Sequence, residues 1–299
     1  MMGALTWDAA ADAWDRHTPL LGRWLAQATA ALLDAARVGA GSRVLDIAAG
    51  AGEQTVDVLR RIAPHGRVLV TDLSPRILAL AADRLRRGGF ERFETRVADA
   101  QSLGLDGVGF DAAVCRLGLM FCEAPLAALE SARAALAPGA RYAALVFAAP
   151  ERNPCLAAVV STARRHAGLG PASQSAPGTL MSLGEPGALA DLMARAGYVD
   201  VSVRAIDAPM HLPDAGHYVE FVRTAGLPVM ALLARLSEEA QRAAWRDVAA
   251  QLGRFDTAAG WVGPNELLLA SGARPSGPLH AESAGASDAR AAAHKEIAS

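Results

Sequence analysis

The sequence contains almost no lysine. Lys295 is the single one, and apart from the seven histidines every other basic residue is an arginine. A lysine forms the Schiff base of pyridoxal enzymes and is part of the phosphate-binding loop of Walker-type nucleotide hydrolases. Because Lys295 falls in a C-terminal segment of mostly small and polar residues, we expect the protein to belong to neither class.

Cysteine is also scarce. Cys115, Cys122 and Cys155 show no regular spacing, so we expect no disulfide framework, and Cys115 lies in an apolar run typical of the core. The histidines are scattered, and no cluster of histidine, cysteine and acidic residues has metal-ligand spacing. We therefore expect no bound metal.

Long apolar runs and an excess of one charge are missing too. No apolar run reaches the roughly 18 residues that a membrane span requires. The formal net charge is −2 without a block of basic residues, whereas a nucleic-acid partner usually requires a basic face. We expect a cytoplasmic protein that acts on a small molecule, as a monomer or a homodimer, and binds neither membranes nor nucleic acids.

The sequence does contain a strand, a glycine-rich turn and a helix in succession. A short apolar run ends at Asp46, the turn Gly50-Ala51-Gly52 follows, and a helical pattern begins at Glu53. Such a unit binds nucleotide-like ligands, because glycines allow close approach and the helix start offers free N–H groups. Asp46 would repel a pyrophosphate, and Thr55 stands where the dinucleotide fingerprint requires a third glycine. Both residues argue against a dinucleotide, whereas a ligand that carries an ammonium group would not be repelled by Asp46.

Three successive predicted strands each end in a carboxylate, at Asp46, Asp72 and Asp99. Asp72 follows Gly52 by about 20 residues, the spacing at which an acid accepts hydrogen bonds from ribose hydroxyls. Any one of these acids alone could cap a helix or a turn. Because the carboxyl ends of parallel strands meet at one edge of an open sheet, we expect the three acids and the glycine turn to surround a ligand.

The segment from about Gly41 to Ala148 resembles the class I S-adenosylmethionine-dependent methyltransferases. It is most similar to their small-molecule branch, methyltransferase type 11, which includes the ubiquinone and menaquinone C-methyltransferases. The matching motifs, in the family's order, are Val-Leu-Asp-Ile-Ala-Ala-Gly-Ala-Gly at 44–52, Val-Thr-Asp-Leu-Ser at 70–74, Val-Ala-Asp-Ala at 97–100, Cys-Arg-Leu-Gly-Leu-Met-Phe at 115–121 and Leu-Ala-Pro-Gly-Ala-Arg at 136–141. The chain departs from the family at Ala48-Ala49, where Cys or Gly is common, so the turn is bulkier on one side.

The resemblance implies S-adenosylmethionine as the cofactor and S-adenosylhomocysteine as the product. The residues that it implies for cofactor binding follow the first four strands: Asp46, Ala48, Ala49, Gly50, Gly52, Asp72, Leu73, Asp99, Ala100, Arg116 and Leu117. Asp46 and the turn backbone would hold the methionine part, Asp72 the ribose hydroxyls and Asp99 the adenine amino group. Arg116 and Leu117 would lie near the sulfonium and the substrate mouth.

The predicted fold is α/β, with a Rossmann-like, mostly parallel, doubly wound sheet of seven strands, a helical N-terminal lid and helical cap insertions. Five segments are expected: a lid at 1–40, a cofactor-binding β/α core at 41–150, cap segments with the sixth strand at 151–256, the last strand within 257–273, and a disordered tail at 274–299. A long loop rich in Gly, Pro and Ser is expected at 168–186.

The acceptor site is harder to predict than the cofactor site. Methyl transfer from a sulfonium is an in-line displacement that depends chiefly on positioning and on exclusion of water, so it requires no fixed acceptor motif. His17 is our candidate for a catalytic base, and Trp14, Arg116, His211 and His217 are candidates for contact with the acceptor. Any single histidine is more often a surface residue or a hydrogen-bonded core residue than a base.

Three functions from different classes stay open. The favoured one is metal-independent methyl transfer to O, N or C of a small, aromatic or lipophilic acceptor, such as a secondary metabolite. The second is a non-methylating relative that binds the same cofactor, for example to assist a cyclisation. The third is a nicotinamide-dependent oxidoreductase with a variant glycine turn, against which Asp46 and Thr55 argue.

Overall fold

A single twisted sheet of seven strands forms the centre of the computed structural model, which describes residues 4–170 and 179–277. The strands of the chain are β1 (Arg43–Ile47), β2 (Arg67–Asp72), β3 (Phe93–Val97), β4 (Phe110–Arg116), β5 (Leu136–Phe147), β6 (Val199–Asp207), β7 (Met210–Leu212), β8 (Asp256–Thr257), β9 (Gly260–Gly263) and β10 (Glu266–Ala273). The central sheet has the order β3-β2-β1-β4-β5-β10-β6, with β1 to β5 parallel and β10 antiparallel to both its neighbours. This confirms the predicted seven-stranded, mostly parallel sheet.

Helices connect these strands and cover the sheet. They are α1 (Ala4–Ala35), α2 (Glu53–Ile62), α3 (Pro75–Arg87), α4 (Pro125–Ala135), α5 (Pro154–His166), α6 (Ala188–Arg195), α7 (Ala215–Ala225), α8 (Leu227–Leu233) and α9 (Glu238–Leu252). Local signals set several of their ends. Ser74 caps α3 by accepting a hydrogen bond from the Ile77 N–H at 3.0 Å, and Pro75 takes the first helical position. No helix in the described residues has the length and apolar character needed to cross a membrane.

The main core lies around the middle strands of the sheet. In β1, Val44, Leu45 and Ile47 are buried, and in β5 every residue from 142 to 147 is buried. Helices cover both faces of such parallel strands, so they appear in the sequence as continuous apolar runs rather than as alternating patterns. This is why they could be located from the sequence.

A second core lies between α5, α7, α8, α9 and a small antiparallel sheet of order β7-β9-β8. Trp261 is its centre: it is fully buried, stacks on Tyr218 with ring centroids 4.8 Å apart, and donates from Nε1 to the Leu252 carbonyl at 2.9 Å. The sequence did not predict this sheet, because strands of two to four residues show too little periodicity. The last strand of the central sheet begins only at Glu266.

The helix α1 belongs to both cores. Trp24 packs against the two apolar clusters, donates from Nε1 to the Ala208 carbonyl at 2.7 Å and stacks on Phe147.

Two predicted segments fall partly outside the described residues. Residues 168–170 and 179–186 of the predicted loop contain no helix or strand, and only 274–277 of the predicted tail are described.

A buried asparagine joins β5 to β10 at the edge of the main core. Asn153 is fully buried; its amide nitrogen donates to the carbonyls of Ala148 at 3.0 Å and Glu266 at 3.1 Å, and its amide oxygen accepts from the Glu266 N–H at 3.1 Å. Because Asn153 and Ala148 are both buried, the side chain supplies hydrogen bonds at a position that water does not reach.

We expect Asn153→Ala to lower the free energy of unfolding by about 2–3 kcal/mol, because it removes the hydrogen bonds that the buried amide makes to the Ala148 carbonyl and the Glu266 N–H. The neighbouring Arg152 is a matched control: it also bonds to Glu266, but its side chain is 62% exposed, so Arg152→Ala should cause a clearly smaller loss. Urea unfolding followed by circular dichroism measures both. Equal losses would contradict the role given to Asn153.

Candidate functional site

A cavity of about 410 Å³ lies at the carboxyl ends of β1 to β4. Its position matches the place where open parallel sheets bind ligands, because the strand order reverses between β1 and β4. Its size falls within the range of small-molecule sites, roughly 300–1,000 Å³. Of the residues that the sequence predicts for the cofactor, all but Asp46 and Gly52 line this cavity.

The part of α1 from Trp7 to Leu25 covers the cavity. One face of the helix lines it with Trp7, Trp14, Thr18, Leu21 and Leu25. The Trp7 ring also meets the ring of Phe121 edge-on, with centroids 5.2 Å apart, across the cavity wall. The cover is therefore mostly apolar and aromatic.

The adjacent face of α1 holds acidic residues that bond to α3 and to Ser74, the residue that caps it. Asp8 accepts from the Ser74 hydroxyl, and Asp15 forms an ion pair with Arg84 at 2.5 Å. Arg84 in turn donates from Nε to the Ala51 carbonyl at 2.9 Å. The cover is thus attached directly to the residues after β2, through Asp8, and indirectly to the glycine turn, through Arg84.

The glycine turn has the conformation that its sequence predicts. Gly50 and Gly52 have positive φ of 59° and 79°, which other residues adopt at a cost. A Cβ on Gly50 would meet no atom within 4 Å, so the backbone there borders open space. Ala48 also has a positive φ, 53°, and its methyl group fits only because Gly118 has no side chain: a Cβ on Gly118 would lie 2.6 Å from that of Ala48.

Two carboxylates border the cavity beyond the turn. Asp72, at the end of β2, accepts from the N–H groups of Gly50 and Ser74, both at 3.0 Å, and burial raises its pKa. Each of its oxygens keeps a further lone pair for a ligand. Asp99 follows β3 and accepts from the backbone N–H of Gln101 at 2.9 Å. The arrangement suits ligand hydroxyl or amino groups that donate hydrogen bonds.

Asp46 has a different position from the one expected. It is fully buried beneath the turn and is not among the residues that line the cavity. One oxygen accepts from the Gln54 amide and the other from the Thr55 hydroxyl at 2.7 Å. Burial raises the pKa of Asp46 to about 7, against the opposing effects of these two hydrogen bonds and of the Arg116 charge.

Arg116 lies at the end of β4 and forms an ion pair with Glu53, the first residue of α2. Its guanidinium also donates to the Thr29 hydroxyl at 2.7 Å. The two charged side chains are largely buried, 9% and 18% exposed, and both line the cavity. Glu53 is not among the site residues predicted from the sequence, although its place in the first turn after the glycines was a usable signal.

Two buried polar atoms have no hydrogen-bond partner among the described residues: Trp14 Nε1 and Gln54 Oε1. Both residues line the cavity. Buried polar groups are nearly always paired in folded proteins, so an unpaired one at a cavity is an indication that a ligand or water completes it. The two atoms offer one donor and one acceptor.

The predicted histidines lie elsewhere. His17 has its Nε2 2.6 Å from the Thr224 hydroxyl, and burial, with a contribution from Arg16, lowers its pKa. His211 is exposed on β7, and the exposed His217 has its Nδ1 2.8 Å from Asp214. None of the three is among the residues that line the cavity. A catalytic role for His17 stays a prediction without a supporting contact.

Over residues 4–170 and 179–277, no group of three or more His, Cys, Asp and Glu has a metal-binding arrangement.

Comparisons with known proteins bear on this site. Residues 44–139 match the family described as a methyltransferase domain. The ubiquinone/menaquinone biosynthesis C-methyltransferase UbiE of Idiomarina loihiensis is 34% identical over 119 residues, which are 40% of this chain and 47% of that enzyme. The chain thus matches about half the length of the curated relatives.

Two solved structures are similar over most of this chain. The cyclase SpnF is 18% identical, with 92% of this chain and 99% of that chain covered and a TM-score of 0.54. Phosphoethanolamine N-methyltransferase 2 of Haemonchus contortus, solved with phosphomonomethylethanolamine and S-adenosylhomocysteine, is 15% identical, with 87% and 58% covered and a TM-score of 0.54. At these identities the two structures bear on the fold alone. Together the comparisons confirm the class I methyltransferase resemblance and the Rossmann-like fold.

The raised pKa of Asp46 predicts a pH-dependent stability. The folded protein keeps this proton up to about pH 7, whereas an unfolded aspartate loses it at roughly pH 4. Between these values the folded state binds the extra proton, so the free energy of unfolding should fall as the pH rises. Relative to Asp46→Asn, which has no such proton, the wild type should lose roughly 4 kcal/mol across this range. Urea unfolding at several pH values tests this, and parallel curves for the two proteins would contradict it.

Proposed function

We propose, from the methyltransferase domain at residues 44–139, that the chain is an S-adenosylmethionine-dependent methyltransferase with a small organic acceptor. The observation that carries the proposal is the cavity in which the glycine turn, Asp72 and Asp99 meet beneath the aromatic cover of α1. Each of these parts has a counterpart in the chemistry of an adenosyl ligand with a methionine chain.

The residues of the cavity fit this cofactor. Asp72 would accept from the ribose hydroxyls, since its oxygens keep free lone pairs beside the Gly50 and Ser74 N–H groups. Asp99 would accept from the adenine amino group, with Leu73 and Ala100 as the apolar walls. When bound, S-adenosylmethionine supplies an electrophilic methyl group on a positively charged sulfur.

The charges around the cavity support a cationic ligand over a dinucleotide. Asp72, Asp99 and Glu53 line it, and Arg116, the one cation among the described lining residues, already pairs with Glu53. Glu53 stands at the start of α2, where a pyrophosphate would otherwise bind to free N–H groups. These carboxylates argue against the nicotinamide-dependent alternative.

The aromatic cover supports an aromatic or lipophilic acceptor. Trp7, Trp14 and Phe121 form an apolar wall that excludes water, and positioning with water exclusion is most of what an in-line, metal-independent displacement requires. The unpaired N–H of Trp14 is a donor for an oxygen or nitrogen of the acceptor. Whether O, N or C receives the methyl group stays open, as does assembly as a monomer or a homodimer.

A non-methylating role is the second candidate. The structural likeness to the cyclase SpnF and the absence of histidine from the described cavity lining are the observations in its favour. Incubation with S-adenosylmethionine and a panel of phenols, amines and carbon nucleophiles separates the two candidates. Release of S-adenosylhomocysteine supports methyl transfer, whereas tight cofactor binding without any release favours the second role.

Cofactor binding is tested first, by thermal shift with S-adenosylhomocysteine, NAD and NADP. At about 100 times its dissociation constant a ligand adds roughly 2.7 kcal/mol, which should raise the Tm by roughly 5–10 °C. We expect this rise with S-adenosylhomocysteine only. Asp72→Ala should abolish it, whereas Asp83→Ala, at an exposed position on α3, should retain it. A rise with NAD instead, or none with S-adenosylhomocysteine, would refute the proposed function.

A further inference from the structure

Gln54 is a buried polar residue at the cavity and is not among the site residues predicted from the sequence. Its side chain is only 2% exposed, and it lines the cavity from the first turn of α2. Its amide nitrogen donates to Asp46 Oδ1, while its amide oxygen has no partner among the described residues. An unpaired buried carbonyl oxygen costs free energy, so the site is incomplete without a donor.

Asp46 fixes the direction of this amide. Its carboxylate is closed off from the cavity, since it is fully buried and its second oxygen accepts from the Thr55 hydroxyl. Asp46 Oδ1 accepts from the NH₂ end of the Gln54 amide, and this hydrogen bond turns the carbonyl end of the amide away from Asp46. Asp46 therefore acts on a ligand through Gln54.

The surroundings of the carbonyl favour a cationic donor. Glu53 is the neighbouring residue on α2, and Asp46 and Asp72 lie at the ends of β1 and β2. Arg116, the cation on this side of the cavity, is occupied by Glu53 and Thr29. An ammonium group supplies both the hydrogen bond that the carbonyl lacks and a positive charge among these acids.

We infer that Gln54 is a further cofactor-binding residue, whose side-chain carbonyl accepts a hydrogen bond from the ammonium group of the methionine part. Asp46 is the positioning residue for Gln54. Gln54 thus makes the direct contact with the methionine part that the sequence suggested for Asp46. This inference rests on the proposed function, because it requires a ligand with a methionine chain.

The test combines a change in the protein with a change in the ligand. Isothermal titration measures S-adenosylhomocysteine and its deamino analogue, in which hydrogen replaces the amino group, against the wild type and Gln54→Leu. A hydrogen bond to a charged group corresponds to about tenfold or more in affinity. We expect Gln54→Leu to weaken S-adenosylhomocysteine by this factor and to bind the deamino analogue as the wild type does. Unchanged binding of the analogue also shows that the variant keeps a folded site.

Asp46→Asn supplies the second variant. An asparagine can present either end of its amide to Gln54, so it no longer fixes the carbonyl, and we expect a smaller loss that is again confined to S-adenosylhomocysteine. Equal affinity of wild type and Gln54→Leu for S-adenosylhomocysteine, or an equal loss for both ligands, overturns the inference while the proposed function stands. Failure of the wild type to bind either ligand refutes the proposed function itself.

Discussion

The hydrogen bond from the Gly50 N–H to the Asp72 carboxylate, 3.0 Å long, joins the turn after β1 to the end of β2, and the cavity depends on it. It forms because the parallel register pairs Ile47 with Thr71 and so ends the two strands side by side. The Thr71 carbonyl also accepts from the Ala49 N–H at 3.0 Å. A slip of one residue between β1 and β2 would turn the strand faces over and separate the turn from its acid. The geometry of the site therefore depends first on the register of β1 and β2, and only then on individual side chains.

The second constraint is the division of α1 into two faces. Trp7, Trp14, Leu21 and Leu25 follow helical spacing and meet the cavity, while Asp8 and Asp15, one residue further along, meet α3. The apolar face excludes water from the cavity, and the acidic face holds the helix in position over the cavity by its contacts with α3. Because Asp15 pairs with Arg84, and Arg84 holds the Ala51 carbonyl, the cover and the glycine turn keep one geometry.

Much of the fold and part of the candidate site could be predicted from the sequence. The strands were predictable because buried parallel strands are continuous apolar runs, and the positions of Asp72 and Asp99 followed because strand ends meet at one edge of a sheet. The direction in which each side chain points could not be predicted from the sequence. Asp46 stands at a strand end like Asp72, yet Gln54 and Thr55 enclose it, and only the packing of α2 on β1 decides this. The histidines failed to reach the cavity for the same reason: His17 shares α1 with Trp14 but lies on the face that meets α7, beside Thr224 and Phe221.

The position of Trp24 has a consequence for how the molecule holds together. Its ring lies against the core of the central sheet and against the core around Trp261, and its N–H holds the chain at Ala208, between β6 and β7. The two cores thus share one wall, the helix α1, and the part of this helix from Trp7 to Leu25 also covers the cavity. Loss of either core removes a support of that wall, so we expect the cap and the sheet to unfold as one cooperative unit rather than as two independent domains. A ligand that fills the cavity then stabilises distant residues around Trp261 as well as its own contacts, through linkage alone.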